Sequence, residues 1–76
     1  MTIVFCDKNK LPYEDDNLFA FIYPNDNAII RQYWSIDTFN VPSAGDVVVI
    51  LGKFYKVFLT VFDYDEKTVY VAAEEI

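Results

Sequence analysis

Apolar residues along this chain come in short runs, each closed within a few positions by a cluster of turn-forming residues. Thr2 to Cys6 is the first strand-like run, ended by Asp7-Lys8-Asn9-Lys10 and Pro12. The acidic stretch Tyr13-Glu14-Asp15-Asp16-Asn17 reads as a turn. Leu18 to Tyr23 is the second run, and Pro24-Asn25-Asp26-Asn27 stops it with four turn-favouring residues in succession. Ala28 to Ile36 reads as a third strand; Asp37 to Ala44, with Pro42, is a connector, and Gly45-Asp46 opens the next strand. The C-terminal half is the most regular. Val47 to Leu51 is β-branched almost throughout, Phe54 to Phe62 follows Gly52-Lys53, and Thr68 to Ala73 returns after the turn Asp63-Tyr64-Asp65-Glu66-Lys67. No segment has the 3.6-residue period of a long helix, which leaves room only for a single helical turn near residues 14–19 or 37–41. The pattern predicts one all-β domain over residues 1–76, a small five- to six-stranded antiparallel barrel.

The central hairpin carries the sharpest expectation. Gly52-Lys53 suits a two-residue type II′ turn, because glycine tolerates a positive φ at the first turn position. That turn pairs Leu51 with Phe54, Ile50 with Tyr55, Val49 with Lys56 and Val48 with Val57. Side chains alternate between faces, so one face holds Val48, Ile50, Tyr55, Val57, Leu59 and Val61. The other holds Val47, Val49, Leu51, Phe54, Phe58 and Phe62, broken only by Lys56 and Thr60. A solvated antiparallel face should be polar, so something covers this one. It is either the segment from Pro12 to Phe19 folded across, or a protein partner. In the third strand Tyr33 and Trp34 point to opposite faces. Trp34, in step with Ile30 and Ile36, is expected in the core. Tyr33, beside Arg31, is expected to face outward with Phe19, Phe21 or Tyr23, in a composition typical of interaction surfaces.

Gly45-Asp46-Val47-Val48-Val49-Ile50, followed by Gly52-Lys53-Phe54-Tyr55-Lys56-Val57, resembles the pattern of Src-homology-3-like small β-barrels. It also looks like the short proteins that phage genomes encode. In such barrels a Gly-Asp turn opens a strand whose alternate residues enter the core, and a Gly-led hairpin returns it. The resemblance covers residues 42–73 and implies the barrel fold and a phage origin, without fixing a function.

Composition narrows the chemistry. With 54% hydrophobic residues, two glycines and one cysteine, the chain is neither a disordered acidic tail nor a disulfide scaffold. Twelve carboxylates oppose six basic residues, for a net charge of −6. The basic residues form no stripe, so direct binding to nucleic acid or to an anionic membrane is not expected. Met1 to Cys6 is too short for a targeting segment, and no run reaches the roughly 20 apolar residues of a membrane span. The unpaired Cys6 fits a reducing, cytoplasmic setting, as a packing residue rather than a nucleophile.

There is no histidine, so the commonest general base is missing, and Ser35 and Ser43 lack a histidine partner. Gly45 and Gly52 do not make a phosphate loop. Asp63, Asp65 and Glu66 are the best metal candidates, yet a calcium loop needs glycine at its sixth position, where Thr68 stands. Those acids, and Glu14, Asp15 and Asp16, read instead as a solvated turn and a charged loop or first helical turn. No cofactor, metal or enzymatic activity is expected.

The charge is uneven. Residues 63–76 hold five acids and one lysine, whereas residues 45–62 hold one acid and two lysines. The expectation is a small acidic protein-binding module, a phage-type inhibitor that occludes a surface of a host or defence protein. Glu14, Asp15, Asp16, Asp63, Asp65, Glu66, Glu74 and Glu75 would meet a basic, nucleic-acid-binding groove in place of phosphates. Tyr33, Phe54, Phe58 and Phe62 would supply the apolar contacts. Two alternatives remain open: a homo-oligomeric assembly subunit, dimerising through the Phe54/Phe58/Phe62 face, or a protein that sequesters a small ligand in an aromatic pocket.

Overall fold

A computed structural model describes residues 1–11, 24–34 and 41–76. The strand expected at Leu18 to Tyr23, the covering segment from Pro12 to Phe19, the candidate helical turn at 14–19 and, apart from Val41, the one at 37–41 lie outside these residues. Among the described residues the chain is all-β apart from two 3-10 turns, Lys8–Lys10 and Asp26–Ala28. The strands are β1 (Thr2–Asp7), β2 (Ile29–Tyr33), β3 (Val47–Ile50), β4 (Lys53–Asp63) and β5 (Thr68–Glu75). They form a single curled sheet in the order β2-β1-β5-β4-β3.

The sheet departs from the expected antiparallel barrel in two ways. β1 runs parallel to β5, from Thr2 beside Thr68 to Asp7 beside Ala73, while every other pair is antiparallel. A parallel pair cannot be closed by a tight turn and needs a long crossover, which the whole chain between β1 and β5 provides. The first and last described strands, β2 and β3, are also not hydrogen-bonded to each other, so the curled sheet is a half-barrel.

β5 lies at the centre and is buried on both faces. Val69, Val71 and Ala73 point to one side, where they pack with Ile3, Phe5, Ile50, Tyr55 and Val57. Ala72 points to the other, with Val4, Cys6, Leu11 and Ala28. Leu11 and Ala28 belong to the segments around the two 3-10 turns, so those turns cover the second face over β1 and β5. Asp7 fixes the first of them by accepting a hydrogen bond from the Asn9 backbone N–H at 2.9 Å. Each large apolar side chain fully buried this way stabilises the fold by roughly 1.5–3 kcal/mol.

The β3–β4 turn differs from the expected one by a residue. The pairs are Ile50 with Lys53, Val49 with Phe54, Val48 with Tyr55 and Val47 with Lys56. Leu51 and Gly52 are therefore the turn, with φ of 52° and 78°. Positive φ at both central residues is the type I′ arrangement, whose twist matches that of the strands better than a type II turn. Each side of the hairpin slips by one residue, so the facing of β3 and of the start of β4 is unchanged.

Beyond Val57 the facing does change. Val57 pairs with Ala73 but Leu59 pairs with Ala72, leaving Phe58 as an extra residue in a β-bulge. Leu59 and Val61 therefore move to the Ala72 face, contrary to simple alternation, and Phe62 moves beside Val69 on the opposite face from Phe54. The third strand is corrected as well. Ile3 pairs with Tyr33, which puts Tyr33 on the core side, edge-on to the Phe5 ring at 5.9 Å. Trp34 follows the end of β2 and is 69% exposed, not core.

Leu51 occupies a backbone region that suits Asn or Gly and disfavours a leucine by roughly 1–2 kcal/mol. Leu51→Asn is expected to stabilise the chain by about 1 kcal/mol, and Gly52→Val to destabilise it by at least as much. Urea unfolding with an unchanged m-value checks both.

Candidate functional site

The bulge at Phe58 divides the second face of the sheet. On one side of it Leu59 and Val61 join the covered core of Cys6 and Ala72. On the other side, Val47 and Val49 of β3 and Phe54 of β4 stand in the open, with Ile76 beside them. Ile76 is held there by its backbone N–H, which donates to the Phe54 carbonyl at 3.0 Å. Leu51 completes the surface at the hairpin tip, 64% exposed, and Phe54 is 58% exposed. Lys56 and Glu74, paired in register, are the charged groups among them.

Phe58 marks the inner border of this surface. Lys8 Nζ lies 4.5 Å from the centre of its ring and 3.6 Å from the Glu74 carboxylate. A cation over an aromatic face at an exposed site is worth about 0.5–1 kcal/mol, and the exposed ion pair adds little. Lys53 and Glu75 make a second exposed pair at 3.8 Å.

The opposite end of β4 is acidic. Asp63 Oδ1 accepts from the Glu66 backbone N–H at 3.2 Å, and Thr68 Oγ1 donates to the Glu66 carbonyl at 3.1 Å. These bonds make a tight turn in which Lys67 has φ of 52°. Asp63 is thus turned onto the backbone, and among the described residues no three acidic or cysteine side chains converge on a point that could hold a metal. Phe62 and Tyr64, two residues apart where β4 enters the turn, stack with centroids 6.3 Å apart and an interplanar angle of 19°. Both rings are exposed, so this end presents aromatic and carboxylate groups together.

The expected partner-binding residues therefore do not form one site. Phe54 and Phe58 lie on the hairpin surface, while Phe62, Asp63, Asp65 and Glu66 lie at the far end of the eleven-residue β4. Tyr33 packs on Phe5, with the Arg31 guanidinium 5.1 Å from its ring, on the other face of the sheet. Glu14, Asp15 and Asp16 lie outside the described residues. Ile76 was missed as a member of the hairpin surface, while Val47, Val49 and Leu51 were placed on that face but not among the partner-binding residues. Leu51 had a signal in the sequence, an apolar residue beside the turn glycine where Asn or Asp would be usual.

Comparison of the chain with protein-family models, with curated proteins and with solved structures finds no match. Among the described residues no helix is long and apolar enough to cross a membrane.

Cys6 is 1% exposed in the covered core, and burial pushes its thiol from 9.0 up to about 12. The neutral thiol is favoured by the fold. Its contribution is complete below pH 9 and is lost as pH rises from there towards 12, because only the unfolded chain ionises readily. The stability advantage of the wild type over Cys6→Ala is expected to shrink across that window. In native buffer at neutral pH, a thiol-reactive disulfide reagent should react with Cys6 no faster than the chain unfolds. Reaction at the rate of a free thiol would contradict the burial.

Proposed function

We propose that this chain is a non-catalytic binding module that acts by covering a surface of another protein. The observation that carries the reading is the open apolar surface of Val47, Val49, Leu51, Phe54 and Ile76 at the hairpin end. Exposing such a group of side chains is unfavourable for a domain this small, and surfaces of this kind mark protein interfaces. Leu51 adds to the case. The chain keeps a leucine in a turn position that disfavours it, at the most projecting point of the hairpin, where the side chain contributes nothing to the core.

The charge distribution supports a basic partner. The acidic turn at the far end of β4 is free of ion pairs with Lys53 and Lys8, which engage Glu75 and Glu74 at the other end. Asp65 and Glu66 are exposed and would steer the chain towards a positively charged surface, including one that ordinarily holds nucleic acid. Inhibition by occlusion is the simplest consequence of such binding, and a phage-type inhibitor of a host or defence protein fits the size and charge.

Capture from a bacterial lysate separates the two contributions. Phe54→Ser removes an exposed side chain and should leave the fold intact while lowering recovery of the wild-type partner at least tenfold. Asp63→Asn, Asp65→Asn and Glu66→Gln together keep the turn acceptors but remove the charge. That variant should still capture the partner, associate more slowly and release it at lower salt. The same set of proteins bound equally by wild type and Phe54→Ser would overturn the reading.

A further inference from the structure

β3 is the outermost described strand on its side of the sheet, and the direction of its backbone groups follows from its neighbours. Val57 donates to the Asp46 carbonyl at 2.8 Å and accepts from the Gly45 N–H at 2.8 Å, so both of its backbone groups point to β3. The Phe54 carbonyl points the other way, to Ile76. Alternation along the antiparallel ladder then turns Val48 and Ile50 towards β4 and sends the N–H and C=O of Val47 and Val49 outward. Natural sheets block an edge of this kind with lysine, proline or a bulge placed within the strand. Val47-Val48-Val49-Ile50 has none of them. β2, at the other edge, carries the exposed Arg31 and has a bulge in its pairing with β1.

We propose that the free edge of β3 pairs antiparallel with β3 of a second copy of this chain, about a two-fold axis through Val48. Three features select a second copy as the occupant. The outward-facing residues fit each other in this register, Val47 of one copy forming the hydrogen-bonded pair with Val49 of the other, with valine against valine on both faces. The same register carries the projecting Leu51 over the Ala44–Gly45 turn of the other copy. A Cβ built on Gly45 would meet nothing within 4 Å, so the approach there is open. Charge is complementary as well: the exposed Asp46 of one copy is brought within two strand spacings, about 10 Å, of the exposed Lys53 of the other. Edge pairing uses the side of the sheet, not its face, so Phe54 and Ile76 stay open and are doubled. Val47, Val49 and Leu51 are shared with the binding surface proposed above, so the two readings are told apart at Phe54, which the dimer leaves open.

The contact is small, below the roughly 1,200 Å² of a standard interface, so the dimer belongs in the micromolar to millimolar range. Sedimentation of the full chain from about 10 µM to about 1 mM covers it. The mass should rise from that of one chain, 8.9 kDa, towards that of two. Val49→Pro removes an outward N–H and no β3–β4 bond, and should weaken the dimer at least tenfold. Val49→Lys serves the same purpose if the proline variant does not fold. Phe54→Ser should change the dimer constant less than twofold. Amide exchange gives a readout on the wild type itself: Val47 and Val49 should gain protection with concentration, while Val48 and Ile50 are protected throughout. A single-chain mass at every concentration would overturn the proposal. So would a dimer sensitive to Phe54→Ser but not to Val49→Pro, which would mean face-to-face packing. Concentration-independent protection of Val47 and Val49 would overturn it too, since the edge would then be covered by the chain's own residues.

Discussion

The rest of the structure depends on the burial of β5 from both sides. Val69, Val71, Ala72 and Ala73 leave no surface to water, which a strand achieves only when both of its edges are paired and both of its faces are covered. β1 and β4 supply the edges. The larger core cluster covers one face, and the segments around the two 3-10 turns cover the other over β1. Alanine at positions 72 and 73 lets those layers approach closely. The parallel pairing of β1 with β5 follows from the same demand, because it brings the most apolar N-terminal run against the most buried strand.

The cover on the second face does not reach β3. The bulge at Phe58 sets the boundary by giving β4 one residue more than β5 needs, which redirects the strand's facing. Leu59 and Val61 are drawn under cover, and Phe54, Val47 and Val49 are left outside it. A structural irregularity of one residue thus separates core from candidate interface. The edge of β3 that no described strand pairs adjoins that surface, so the hairpin offers side chains on its face beside a rim of backbone groups.

Much of the strand content was legible because turn residues punctuate every run: Gly45, Gly52 and the Asp63–Lys67 cluster bound the C-terminal strands closely. Gly45-Asp46, read from the pattern as the opening of β3, stands just before Val47, with Gly45 at positive φ and its N–H donating to the Val57 carbonyl. Besides the parallel β1–β5 pair and the unclosed sheet, which depend on long-range pairing, three features escaped. The bulge is a register event with no residue signature at Phe58, so alternation carried past it put Leu59, Val61 and Phe62 on the wrong faces. The hairpin turn was misplaced because glycine suits the first position of a type II′ turn and either position of a type I′ turn, and the preceding Leu51 gave no preference for the latter. Tyr33 and Trp34 were exchanged because facing within a strand depends on its partner, and the pairing of Tyr33 with Ile3 is a long-range contact that local pattern does not encode.

The Phe58 bulge divides a covered core from an open hairpin surface. Cross-strand nuclear Overhauser contacts between β4 and β5 test it directly. With the bulge in place, Val57 lies opposite Ala73 and Leu59 opposite Ala72, with Phe58 as the bulged residue between them. An uninterrupted register, with Phe58 opposite Ala72 and Leu59 opposite Val71, would contradict it.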